Sequence, residues 1–133
     1  PYIIISGNSI IPFSIPMYPV DIFFCITVYI LGVFLHFTSD MQKYIYLKLN
    51  PGNLMTDGMF KTIRNTNYLG ELLIYLGFSL LALDWTPIIA LLIFIFIIWI
   101  PNMLKKDKSL SRYKEFDNYK SKTKRFLPFI WLI

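Results

Sequence analysis

Apolar residues in this chain fall into long blocks separated by short polar stretches, and the last of these blocks is apolar on every helical face. The block from about Asp21 to Phe37 is, with its flanking residues, long enough for a helix that crosses a bilayer. His36, Asp40 and Lys43 continue that helix beyond the block at i, i+4 and i+7. They draw a polar stripe that suits a solvated helix end and a ligand-facing edge equally well. Turn chemistry follows at Asn50-Pro51-Gly52-Asn53 and at Thr56-Asp57-Gly58. A second span is expected from about Asn67 to Leu83, short for a bilayer. Its Gly70 and Gly77 form a small-residue stripe for close approach of another helix, in this chain or in a second copy. Asp84-Trp85-Thr86-Pro87 predicts a tight reversal with an interfacial tryptophan. The third span, Ile88 to Met103, stays apolar until Pro101-Asn102 and reads as lipid-facing scaffold.

Charge adds a topology to this pattern. All thirteen Lys and Arg residues lie in two segments, 43–64 and 105–125, and the second holds nine of them. With three spans between and before them, the two segments fall on one side of the membrane, and the positive-inside rule makes that side the cytosol. In the second segment Tyr113, Phe116 and Tyr119-Lys120 recur at helical spacing, which predicts an amphipathic tail helix lying on the membrane face. Residues 1–19 are apolar but broken by Pro12, Pro16 and Pro19, as expected of the remnant of an upstream span and a loop. Residues 20–129 then form one membrane domain, and 130–133 close an apolar tail that dips back towards the interface. The expected fold is therefore all-α, a multispan transmembrane bundle of about three spans with a cytosolic amphipathic tail helix.

Composition agrees with a bilayer as solvent: 56% of the 133 residues are hydrophobic, 18% aromatic and only 16% charged. A soluble domain of this length has too little interior for so much apolar surface. The net charge of +5 flanks apolar spans and carries no nucleic-acid motif, so the partner it implies is the lipid bilayer. The single Cys25 rules out an internal disulfide, and one histidine leaves no metal constellation and no nucleophilic triad. Gly52, Gly58 and Gly70 are isolated and make no phosphate loop.

The chemistry concentrates at Arg64-Asn65-Thr66-Asn67-Tyr68-Leu69-Gly70-Glu71, where a polar loop enters an apolar helix and carries a carboxylate with it. Arg64, Asn67 and Glu71 fall at i, i+3 and i+7, so the expectation is one face with Arg64 and Asn67 as partners of the acid. Lys105, Lys106, Lys108 and Arg112, beside Tyr113, suit phosphates, while Asn67 and Glu71 suit a polar amide or a ribose. Anionic lipid headgroups would select most of the same cations.

Asp57-Gly58-Met59-Phe60-Lys61, the Arg64 to Glu71 run, Lys106-Asp107-Lys108-Ser109-Leu110-Ser111-Arg112-Tyr113, Tyr119-Lys120 and Leu127-Pro128-Phe129 together resemble the C-terminal domain of the steroid 5-alpha-reductase-like family. The resemblance covers roughly residues 34–129. Sterol reductases and isoprenylcysteine carboxyl methyltransferases are wider kin. What it implies is a helical membrane oxidoreductase that uses NADPH to reduce a conjugated C=C bond of a steroid-like, terpenoid or other lipid substrate. It further implies that His36, Asp40, Arg64, Asn67, Tyr68, Glu71, Lys106, Arg112 and Tyr113 line the cofactor, with Asn67 and Glu71 at its nicotinamide end. His36 stands where the steroid reductases have Asn, and Thr66 where the wider family has Pro. The family's catalytic acids belong to earlier spans, so no catalytic residue is named. Two alternatives stay open: an S-adenosylmethionine-dependent methyltransferase, and a non-catalytic membrane domain.

Overall fold

The computed structural model describes residues 2–5, 9–12 and 18–127. The expected apolar tail at 130–133 lies outside them. Where a span remnant was expected, Tyr2–Ile5 (β1) pairs antiparallel with Ser9–Pro12 (β2), with Ile3 opposite Ile11 and Ile4 opposite Ile10. Runs of β-branched residues favour this extended pairing over a helix.

Three helical rods make the body. The first, α1, spans Pro19–Leu49, 31 residues or about 46 Å, so it crosses an apolar layer of about 30 Å and carries the His36–Asp40–Lys43 stripe beyond it. The second, α2, spans Thr66–Leu81 and has only 16 residues. Two residues past its end Leu83, with a φ of 53°, reverses the chain, and Asp84 then caps the next helix by accepting from the Thr86 amide at 2.6 Å. The reversal is thus centred one residue before the expected Asp84–Pro87 turn. Hydrogen bonds from Thr86 hold the exposed Asp84 carboxyl below its usual range.

The third rod is continuous from Trp85 to Leu110: α3 (Trp85–Phe94), a π-helical turn (Ile95–Trp99) and α4 (Ile100–Leu110). Pro101 has no N–H to give the preceding turn, and the wide π turn sits just before it. α1 and the Trp85–Leu110 rod are each long and apolar enough to cross a membrane. With α2 packed lengthwise on α1, the protein is a helical membrane bundle. Its core is Leu91, Ile95, Trp99, Met103 and Phe126, with Tyr68 and Leu72 of α2 against it.

The tail differs from expectation. Its first basic turns belong to α4, and only Phe116–Lys122 forms a separate helix, α5. The apolar face of α5 packs on the protein rather than a membrane surface: Phe116 and Tyr119 are buried with Leu54 of the loop after α1. Residues beyond α5 return to that loop through an isolated parallel bridge between Ile63 and Lys124, with Arg64 N donating to Lys124 O and Lys124 N to Thr62 O, both at 2.8 Å.

Candidate functional site

The site begins where α1 and α2 touch backbone to backbone. Gly32 and Gly70 face each other there; a β-carbon on Gly70 would collide with the His36 amide nitrogen and stand 2.8 Å from the Gly32 carbonyl. The small-residue stripe is therefore used within the chain, and Gly77 completes it against Cys25 and Tyr29. This close approach brings His36 onto the first turn of α2, where its Nδ1 lies 3.1 Å from the Asn67 carbonyl. A carbonyl oxygen only accepts, so the contact puts the proton on Nδ1 and leaves Nε2 facing the Asp40 carboxylate at 3.8 Å.

Asn67 has its backbone held in this way, yet its side-chain oxygen is buried and accepts nothing. It is the one buried side-chain nitrogen or oxygen without a hydrogen-bond partner among the described residues. A buried acceptor left alone costs about 1–3 kcal/mol, so its persistence calls for a donor from elsewhere. Glu71, four residues on, shares that helix face and lies half-buried; it and the exposed Asp40 are within electrostatic reach of Tyr68. The Tyr68 ring turns to the third rod and meets Trp99 edge-on at 5.6 Å.

Beside this crossing lies a cavity of about 280 Å³ lined by Lys43, Arg64, Lys106, Arg112 and Tyr113, with Leu54, Met55 and Phe60 as apolar wall. Lys106 links the cavity to the head of α2: its ammonium donates to Asn65 Oδ1 at 2.8 Å and to Arg64 O at 3.2 Å, and lies 5.8 Å from the Phe60 ring centre. Lys43, Arg64, Asp40 and Asp107 are all within its electrostatic range. Arg112 stacks over Tyr113 at 5.1 Å and donates to its hydroxyl at 3.2 Å. On the cavity wall the buried Tyr119 hydroxyl donates to Phe60 O at 2.7 Å, and burial pushes this phenol up to about 12.

The structure corrects the partnership expected of Arg64. α2 starts at Thr66, so Arg64 is not on a helical face with Asn67 and Glu71. Its guanidinium is 4% exposed and every nitrogen is committed: Nε and Nη2 to Asp107 at 3.3 and 3.0 Å, and Nη1 to Lys120 O, Thr123 O and Thr123 Oγ1. Arg64 thus ties the tail to the α2 head, and only its cavity-lining edge remains for a ligand. His36, Asp40, Asn67, Tyr68 and Glu71 gather around the α1–α2 crossing, while Lys106, Arg112 and Tyr113 gather at the cavity. Asp107, Asn65 and Arg125 stand outside the expected site residues, although a lone acid set between Lys106 and Lys108 is a visible signal of a carboxylate with a structural task.

A family model described as 3-oxo-5-alpha-steroid 4-dehydrogenase matches residues 11–131, which take in α1 to α5 and every residue of the crossing and the cavity. No curated protein matches the chain, and no solved structure does. The motifs from Asp57 to Phe129 therefore carry a true kinship, and this integral membrane protein belongs to the 3-oxo-5-alpha-steroid 4-dehydrogenase family of oxidoreductases.

Proposed function

We propose that this chain holds NADPH at the α1–α2 crossing and its adjoining cavity, as part of a membrane reductase of a conjugated C=C bond in a steroid-like, terpenoid or other lipid. The observation that carries the reading is the lone Asn67 oxygen: a buried acceptor in the first turn of α2, three residues past the cavity-lining Arg64, fits a ligand that is an amide donor at one end and an anion at the other. Asn67 Oδ1 would accept from the carboxamide N–H, and His36 holds the backbone that aims it. Lys43, Lys106 and Arg112 would neutralise the phosphates; Arg112 and Tyr113 offer a flat stacked surface at the mouth. NADPH, when bound, supplies the hydride. Glu71 and Asp40 would orient hydroxyls of the ligand, and their negative charge discourages a second anion at that end. The lipophilic substrate enters from the bilayer, past apolar helix faces that need no desolvation. Under the positive-inside rule the cavity faces the cytosol, where soluble cofactor is available.

The test is a thermal-shift titration of the full-length protein in detergent with NADPH, NADH and S-adenosylmethionine, beside Asn67→Ala. A ligand at 100 times its Kd stabilises by about 2.7 kcal/mol. Stabilisation by NADPH that Asn67→Ala abolishes is the expected result. A response to S-adenosylmethionine alone moves the protein to methyl transfer, and no response to any of the three leaves a non-catalytic membrane domain.

A further inference from the structure

One carboxylate organises the residues behind this site. Asp107, on the last turn of α4 and 6% exposed, receives Arg64 through both oxygens and Arg125 Nε at 2.9 Å through Oδ2. The Arg125 carbonyl in turn accepts from Asn65 Nδ2 at 2.8 Å, and Asn65 Oδ1 accepts from the ammonium of Lys106, the chain neighbour of Asp107. The circle Asp107–Arg125–Asn65–Lys106 is closed, and Arg64 spans it from the loop to Thr123. Two guanidiniums pair with one acid there, and the Lys106 ammonium lies within electrostatic range of it as of Asp40, so the pairing of both arginines hangs on a single residue. Asn65 is the last residue before α2, and Asn67 lies in the first turn that follows.

We infer that Asp107 is a positioning residue for ligand capture: through Arg125 and Asn65 it fixes the head of α2 and so aims the unpartnered Asn67 oxygen. This rests on the cofactor reading above. Without the carboxylate, Arg64 and Arg125 repel each other with no counter-charge between them. Arg125 then moves, its carbonyl releases Asn65, and Lys106 loses the oxygen that seats it. An ion pair with a purely structural task would lower stability without acting through Asn67.

A double-mutant cycle on NADPH affinity separates the two, using full-length wild type, Asp107→Asn, Asn67→Ala and the double variant in detergent. Each single variant is expected to raise Kd about tenfold, equivalent to about 1.4 kcal/mol, and the double variant to bind no worse than the weaker single. Arg125→Gln, which cuts the same circle while leaving the Arg64 pair, is expected to follow Asp107→Asn and serves if the latter fails to fold. Wild-type affinity in both Asp107→Asn and Arg125→Gln, or losses that multiply in the double variant, would overturn the inference. A second readout needs no cofactor: in protein labelled with [15N]asparagine, Asp107→Ala is expected to move the side-chain amide signals of both Asn65 and Asn67. If wild type fails to bind NADPH, the cofactor reading falls, and the amide signals decide the positioning role, with unmoved Asn67 signals overturning it.

Discussion

At the scale of single residues, the crossing of α1 and α2 depends on positions where only hydrogen fits. A methyl at Gly70 meets backbone of α1, which cannot step aside, whereas one at Gly77 comes to 3.1 Å from Cys25 O and the Tyr29 side chain, contacts that ease with a small shift. Gly70→Ala is therefore expected to lower the melting temperature in detergent well beyond Gly77→Ala, by the equivalent of about 1–3 kcal/mol of overpacking against a fraction of that. An equal loss at both positions would show that the helices separate freely. Tyr119 gives a pH test. Its phenol is raised from about 10 in the unfolded chain to about 12, so the fold favours the neutral hydroxyl. That contribution is complete below about pH 10 and is lost as the pH climbs towards 12. Tyr119→Phe is expected to cost about 1–3 kcal/mol at neutral pH by orphaning Phe60 O, and the gap from wild type should narrow between pH 10 and pH 12 in a pH-resolved melting series. These details were unevenly legible. The glycine stripe was readable, because small residues at helical spacing have one main use in an apolar span. Its partner was not, since Gly32 carries no polar neighbour to mark it. The spacing of Arg64 suggested a helical face, but helical spacing has meaning only inside a helix, and the side-chain bonds of residues 64–66 hold the chain off until Thr66.

At the scale of elements, the π turn and the tail depend on each other. The wide turn at Ile95–Trp99 places Trp99, 3% exposed, where it meets Tyr68, Phe94 and Phe126 edge-on at 5.6, 5.7 and 6.2 Å. Phe126 is the anchor by which the segment after α5 reaches the bundle. Trp99→Ala is expected to free that segment, which trypsin would report by faster cleavage among Lys120, Lys122, Lys124 and Arg125, while cleavage near Lys48 stays unchanged. Unaltered cleavage throughout would assign the anchoring to the polar bonds of Thr123, Lys124 and Arg125 instead. The third rod and its extent were readable from hydropathy, and the tail helix from the spacing of Phe116 and Tyr119. What covers an apolar face is a tertiary fact, however; the sequence pattern of α5 suits a lipid surface and the Leu54 loop alike.

At the scale of the whole molecule, two rods are long and apolar enough to cross a membrane, and the crossing and the cavity gather at one end, where the loop 50–65 and the tail close over α1 and α2. Cations drawn from four segments, Lys43, Arg64, Lys106 and Arg112, converge on a single cavity. The Debye length falls from about 10 Å at 0.1 M salt to about 3 Å at 1 M, so NADPH affinity is expected to drop several-fold across that range. Isothermal titration in nanodiscs measures it; an affinity indifferent to salt would place the phosphates away from these cations. The convergence itself was only partly visible beforehand. Charge placement along the chain showed that the two basic segments share a side, but which of their members meet depends on the reversal at Leu83 and the return of residues 123–126.

The carboxylate that pairs with both Arg64 and Arg125 also sets how this chain would tolerate variation. In a library of all single substitutions scored for folded protein, position 107 would read as one of the least permissive, because any neutral replacement takes the counter-charge from the buried Arg64 and the partly buried Arg125. In a library of combinations, apolar residues at 64, 107 and 125 together would return a folded bundle, since a buried charge cluster exchanged whole for well-packed side chains is often neutral or stabilising. Such survivors would be stable and, on the reading above, unable to hold a ligand. A screen for expression and a screen for binding would then rank the same three positions in opposite order.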